Sequence, residues 1–321
     1  MHLLSMHPGT LVVVGDRHQH IYSFNYAKDQ LTAMQEQADA GYNFRLTQTQ
    51  RFGPHIAAVA NRMLALLGEG VLMQPNHEVH DAVYHGVTDK RPDDCVWLSR
   101  YNAGWFKLAF KHCMFARPES PDCLAVEVFA RKDADQSANK GSGKIFCDTL
   151  LALAHLKYEL DWEKEVGLLT KVPRKQRETW DGLRMYLARH DDDTQLADLA
   201  SFVSMADNLL KERDDLGMLK ETVGRLEAAI KNEGNLKPTL RCGCVYQVKG
   251  DQFDSVALLP DFVVPDSNAP SEELRVLYVA VTRARRTLWI CNNLARHLLQ
   301  RPVHLRIDVL ASRTLDSISV R

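Results

Sequence analysis

Apolar positions change period several times along the chain. Leu11-Val-Val-Val14 is an unbroken apolar run closed by Gly15-Asp16, which predicts a buried parallel strand ending in a loop. A helix is predicted after Asp29, up to Gly41. Ile56, Val59, Ala60, Met63, Leu64 and Leu67 recur at steps of three and four, so a second helix is expected across 51–67. From Gly68 to about Pro92 the chain is loop-rich in His and Asp. The pattern then predicts a strand over 96–100, a helix over 102–115 and an alternating strand over 124–129. The stretch 131–144, rich in Lys, Asp, Ser and Gly, reads as a polar surface loop.

From Ile145 to about Asn235 the periodicity is mostly helical, with breaks near Pro173 and Asp191-Asp-Asp193. After Pro238 the pattern returns to strands, over 239–245 and 256–260. Pro270-Ser271-Glu-Glu273 opens a helix, with Ser271 expected as N-cap and two carboxylates in the first turn. Leu274, Leu277, Tyr278 and Val281 form its buried stripe, and 287–291 closes as a strand. Strands and helices alternate at both ends around a long helical middle, so the fold class is α/β with a helical insertion.

Composition narrows the possibilities. The 321 residues are 45% apolar and 25% charged, with a formal net charge of −1. That composition belongs to a globular chain and excludes disordered, collagen-like and coiled-coil classes. A near-neutral chain must hold any nucleic acid through local patches. Such a patch exists: residues 271–321 hold nine Arg and no Lys against four acids. Seven scattered cysteines suit a reducing compartment, and Cys242-Gly-Cys244 lacks the spacing and the second pair of a zinc site. No run of 18 apolar residues and no signal-peptide pattern is present, so the expectation is a soluble intracellular protein with no membrane partner and no metal site of its own.

Three polar blocks carry candidate chemistry, each expected where an apolar strand ends. In Gly15-Asp-Arg-His-Gln-His-Ile-Tyr-Ser-Phe-Asn-Tyr26, Gln19 can orient a water or bond a phosphate oxygen. Tyr22 and Phe24 suit either a base-stacking platform or core packing, and spacing alone favours the core. In Gln50-Arg51-Phe-Gly-Pro54, Arg51 stands at a helix mouth, where anions are favoured. In Val245-Tyr246-Gln-Val-Lys249-Gly250-Asp-Gln252 and Tyr278-Val-Ala-Val-Thr-Arg283-Ala-Arg-Arg286, Lys249-Gly250 can approach a phosphate, and Arg283 can act as an arginine finger.

In this order the blocks resemble superfamily 1 helicases of the UvrD/Rep/PcrA type. Gly15–Phe24 resembles motif III, Gln50-Arg51-Phe with Ala60-Asn61 motif IV, Val248-Lys249-Gly250 with Phe253-Asp254 motif V, and 273–284 motif VI. Gln-Arg-Phe-Gly-Pro and the short middle section are most similar to the F-box DNA helicase branch. The resemblance implies RecA-like P-loop NTPase lobes: 1–67 the end of the first, 68–130 and 238–321 the second, and 131–237 a helical insertion. It implies an ATP-dependent 3′→5′ DNA helicase or translocase working in repair or recombination, with ATP and Mg2+ as cofactors and single-stranded DNA as partner. Gln19, Arg51 and Arg283 would be catalytic, reaching the γ-phosphate, with Gly250, Gln252 and Tyr278 also near the nucleotide. Tyr22, Phe24, Asn25, Tyr246 and Lys249 would contact DNA, which turns the two rings from core to stacking.

The family also needs a Gly-x-x-x-x-Gly-Lys-Ser/Thr loop and an acidic magnesium-binding motif. Lys140-Gly-Ser-Gly-Lys144-Ile fails that pattern, since Ala138 and Ile145 stand where Gly and Ser/Thr are required. The expectation is therefore the C-terminal part of a helicase, inactive alone: a truncated gene product, or one half of a split enzyme whose partner, a separate polypeptide, supplies the Walker motifs. The alternative is a non-catalytic module that binds single-stranded DNA or a repair protein. Asn25-Tyr26, Tyr246 and Gln252 depart from the usual Arg-Gly, His and Glu of the family.

Overall fold

The computed structural model describes residues 12–21, 30–37, 43–86, 94–116, 124–129, 138–161, 166–191, 193, 196–211, 215–232, 235–266 and 268–299. Six strands build one parallel sheet: β1 (Ala82–His85), β2 (Val96–Ser99), β3 (Val126–Phe129), β4 (Leu240–Cys244), β5 (Phe253–Leu258) and β6 (Ala284–Ile290). Their spatial order is β1-β6-β5-β2-β4-β3. Register follows the apolar residues, with Val83 beside Leu288 and Val96 beside Val256. The central strand β2 and the second half of β5 (Val256–Leu258) are buried apolar runs.

One face carries α2 (Pro54–Leu66), α8 (Ser271–Val281) and α9 (Asn292–Leu298), and its core includes Ile56, Met63, Leu277, Val279 and Leu288. The segment 12–21 joins this core through Ile21, which is fully buried. Helix α2, grouped by the sequence with the unit 1–67, thus packs on α8, β1 and β6. The other face, over β2, β4 and β3, carries α3 (Asn102–Phe115), α4 (Ala138–Lys157), α5 (Trp180–Arg189), α6 (Ala197–Leu209) and α7 (Asp215–Lys231). Its centre is aromatic: Phe146 stacks on Phe202 at 5.2 Å, with Trp105 edge-on to Phe146 at 5.4 Å. A short helix, α1 (Gln30–Gln37), lies in the chain between Ile21 and α2.

The α/β class with a helical middle is what the sequence predicts, and helix 102–115 agrees to the residue. Four expectations are corrected. Val12–Val14 belongs to no strand; Val12 and Val14 are 79% and 76% exposed, with no strand beside them among the described residues. Residues 140–144 are not a loop but the start of α4, where Gly143 lets the helix approach Ile230 of α7 closely. Pro270, not Ser271, holds the N-cap position of α8, and no side chain caps it. The loop-rich stretch 68–92 contains β1, an edge strand that pairs with β6. Trp162 lies outside the described residues. No described helix is long and apolar enough to cross a membrane.

Candidate functional site

A cleft of about 950 Å³ opens where residues 16–19, 46–52 and 78–80 meet the start of β5, the end of α8 and the start of β6. That volume suits a nucleotide-sized ligand. The cleft lies at the amino ends of β5 and β6, so Gln252 does not sit at a strand carboxyl end as the sequence predicts, whereas Arg283 stands just past the end of the apolar helix α8, as expected.

Asp16 organises one wall. It heads a 3-10 turn over Arg17–Gln19, and its Oδ1 accepts from the His18 amide at 2.9 Å. Its Oδ2 accepts from the Tyr278 hydroxyl at 3.0 Å and from Gln19 Nε2 at 3.1 Å. Tyr278 is 3% exposed, and burial together with the Asp16 charge pushes its phenol well above the ordinary range, so it stays a donor. The turn is anchored from behind by Glu69, which bonds His18 Nε2 at 2.7 Å and pairs with Arg17. Gln19 and Tyr278 thus converge through one carboxylate that sequence reasoning had not singled out.

Arg51 supplies the opposite wall. Its guanidinium donates to the Thr282 carbonyl at 2.5 Å, and burial lowers its pKa from the ordinary arginine value. The mouth of α2 beside it is closed, contrary to expectation. The Asp81 carboxylate, fully buried, accepts from the His55 amide at 3.1 Å and the Ile56 amide at 2.7 Å. Those are helix N-terminal donors that an incoming anion would use, and the protein's own carboxylate holds them. Gly53 is required there, since a Cβ would lie 2.2 Å from Val79 O and 2.6 Å from Asp81 Oδ1.

Arg283 does not line the cleft. It is fully buried, and Nε, Nη1 and Nη2 donate to Val279 O at 2.9 Å, Asp251 O at 3.0 Å and Thr282 Oγ1 at 3.2 Å. Burial, with the Arg51 charge behind it, lowers its pKa to about 10. Gln252 does line the cleft, as do Arg285 and Arg286. Lys249 and Gly250 occupy the neighbouring exposed turn, with Gly250 at φ +99, a conformation that favours glycine. Partial burial, then the Arg283 charge, lower the Lys249 ammonium, while Asp16 raises it.

Tyr246 stands apart, where the carboxyl ends of β2 and β4 meet. Its ring and that of Tyr101 flank the Arg100 guanidinium at 4.9 and 4.7 Å. Arg100 is bidentate to Glu273, at 2.8 and 2.6 Å. Asp261, after β5, accepts from the Arg100 and Tyr101 amides at 3.0 and 3.1 Å, and Asp198 of α6 accepts from the Asn102 amide at 2.8 Å. One polar network therefore joins the helical layer, β2, β5 and the first turn of α8. Tyr22, Phe24 and Asn25 lie outside the described residues.

The cleft fits the phosphates of ATP in size and in its arginine-rich wall. For Mg2+, which takes one or two carboxylates beside waters and phosphates, the lining offers Asp16, already engaged by Tyr278 and Gln19, and the exposed Glu78.

Residues 107–294 match the family model of the UvrD-like helicase C-terminal domain. The chain is 27% identical to F-box DNA helicase 1 of Gallus gallus over 96% of this chain and 29% of that protein. It is also 27% identical to F-box DNA helicase protein 1 of Schizosaccharomyces pombe, over 87% of this chain and 30% of that protein. The chain spans less than a third of the length of these relatives.

Proposed function

The chain belongs to the UvrD-like helicase C-terminal domain family, and from that premise we propose that it acts as the C-terminal part of an ATP-dependent 3′→5′ DNA helicase or translocase in repair or recombination. In this reading 1–67 completes a first RecA-like lobe, 68–130 and 238–321 form the second, and 131–237 is the helical insertion. The nucleotide occupies the cleft. Gln19 orients a water or a phosphate oxygen, Arg51 faces the phosphates, Tyr278 positions Asp16 and Gln19, and Gln252 lies near the sugar. Tyr22, Phe24, Asn25, Tyr246 and Lys249 contact single-stranded DNA inside the cell.

The observation that carries this reading is the single hydrogen-bonded junction Gln19–Asp16–Tyr278, which ties two motifs 262 residues apart to one cleft wall. Through it, a ligand on Gln19 changes the hold on α8, and α8 leads directly into Thr282 and β6. The β- and γ-phosphates and Mg2+ need a Gly-x-x-x-x-Gly-Lys-Ser/Thr loop, which the sequence lacks, and acidic ligands, of which no group of three gathers among the described residues. We propose that another polypeptide segment, in the same or a separate chain, brings them. Val12, Val14, Phe44 and Leu46 support this, since each is more than three-quarters exposed and suits burial against further sheet.

Absence of that loop from the 321 residues also favours a second reading, a non-catalytic module binding single-stranded DNA. Fluorescence anisotropy of labelled single-stranded DNA, with and without ATP, separates the two. The helicase reading expects binding that weakens with salt and changes with ATP. Binding indifferent to ATP favours the module, and no binding at either salt level refutes both.

A further inference from the structure

Glu69 breaks a local rule. Helix α2 ends in a Schellman turn: the Gly68 amide donates to Ala65 O at 3.1 Å and the Glu69 amide to Leu64 O at 2.9 Å, with Gly68 at φ +80. The residue after that glycine commonly packs as an apolar side chain on the last helical turn. Here it is a carboxylate, 9% exposed, at a helix C-terminus whose dipole disfavours negative charge. Arg17 Nε donates to its Oε1 at 2.8 Å, His18 Nε2 stands 2.7 Å from the same oxygen, and Arg45 Nη1 lies 3.6 Å from Oε2. The misplaced charge is thus offset chiefly by the two residues that precede Gln19.

Those two residues and Gln19 form a 3-10 turn of three residues, too short and too weakly bonded to hold itself. Asp16 grips the turn from the cleft side, through the His18 amide and Gln19 Nε2, and Tyr278 of α8 holds Asp16. His18 is 7% exposed, bonded to both carboxylates, with its ring edge-on to that of Tyr278 at 6.2 Å. The thirteen residues of α2 make a rod of about 20 Å, with Arg51 just before its start and Glu69 just past its end. We propose that Glu69 is a positioning residue for Gln19: it fixes the Arg17–Gln19 turn and, through α2, makes that turn and Arg51 move as one body. The proposal rests on reading Gln19 and Arg51 as side chains that meet the cleft's ligand, and it adds a residue that does not itself line the cleft.

Nuclear magnetic resonance of the 321-residue protein, without nucleotide, tests this. The probes are the Gln19 side-chain amide, assigned with Gln19→Ala, and hydrogen exchange at the His18 backbone amide. Glu127→Ala, which removes a partly buried ion pair with Arg241 between β3 and β4, is the control for general destabilisation. Glu69→Ala should shift the Gln19 signals and speed His18 exchange at least about tenfold beyond its rate in Glu127→Ala, the equivalent of one charge-assisted hydrogen bond. Glu69→Gln keeps an acceptor for His18 without the charge, so it should shift the Gln19 signals in the same direction and less far; it carries the test if Glu69→Ala does not fold. Arg51→Ala should move the Gln19 signals in the parent, and less than half as far in the Glu69→Ala background. Gln19 signals unmoved in a folded Glu69 variant overturn the proposal, as do signals moved equally by Glu127→Ala. An Arg51→Ala shift undiminished by Glu69→Ala overturns it too, since Thr282 and α8 would then carry the coupling alone. No nucleotide enters these readings, so failure of the nucleotide reading shows separately, in the response of DNA binding to ATP.

Discussion

Replacing Asp81 by alanine should destabilise the protein in a way that its surface position in the sequence does not suggest. The carboxylate is fully buried and accepts the His55 and Ile56 amides at the first turn of α2, besides His55 Nδ1 at 3.0 Å. Each helix N-terminal amide stripped of its acceptor costs about 1–2 kcal/mol, and the lost charge at the helix dipole adds up to about 1 kcal/mol. The expected loss is therefore about 2–5 kcal/mol. With an unfolding entropy of about 2.1 cal/mol/K per residue over 321 residues, the melting temperature should fall by about 3–7 °C. Asp81→Asn keeps one acceptor oxygen and should lose about half as much. Differential scanning calorimetry reads both. A second readout is specific to the helix mouth: added sulfate should stabilise Asp81→Ala more than the parent, because the vacated amides accept an anion. Asp81→Ala melting within about 1 °C of the parent, or gaining nothing from sulfate, would refute the reasoning.

Two further outcomes follow from buried charge. Glu273→Ala leaves the Arg100 guanidinium, whose side chain is 8% exposed, without its bidentate partner; urea denaturation should show a loss of about 3–5 kcal/mol, and Glu273→Gln a smaller one. At Glu69, burial raises the carboxyl, but the bonds from His18 and Arg17 outweigh it, so the group sits below its ordinary 4.5. A depressed carboxyl contributes stability above the unfolded value that is lost as pH falls through the folded one. Glu69→Gln should therefore flatten the stability profile below pH 4.5, and a parent whose stability does not fall there would contradict the assignment.

Much of this fold was legible because local signals agreed with tertiary ones. Helix α2 starts at Pro54, whose fixed φ suits a first helical position, and helix 102–115 starts where the apolar strand run 96–98 gives way to Ser-Arg-Tyr-Asn. The misses have tertiary causes. Gly143 reads as loop in sequence, yet a Cβ there would lie 2.7 Å from Ile230 Cδ1, so its small size serves helix packing. The four residues of β1 are too few to show a period, and only pairing with β6 defines them. Val12–Val14 has the right residues for a strand, but a strand needs a neighbour, and none lies beside it among the described residues. In the site, Gln19, Arg51 and Tyr278 stood in recognisable motifs. Asp16 and Glu273 lay inside those motifs without an assigned role, and Asp81 and Arg100 outside them, because the partners that define their roles lie between 25 and 262 residues away. Arg285 and Arg286 were in view, but only the folded cleft brings them together with Arg51.

The measurement closest to the central claim is ATP hydrolysis by the purified 321-residue protein, with and without single-stranded DNA, beside Arg51→Ala. The account places phosphate-facing cations in the cleft but no loop to hold the β- and γ-phosphates and no gathered magnesium ligands. It predicts no turnover above the Arg51→Ala control in either condition. DNA-stimulated turnover that disappears in Arg51→Ala would contradict it, because these residues would then build a complete phosphate site by themselves.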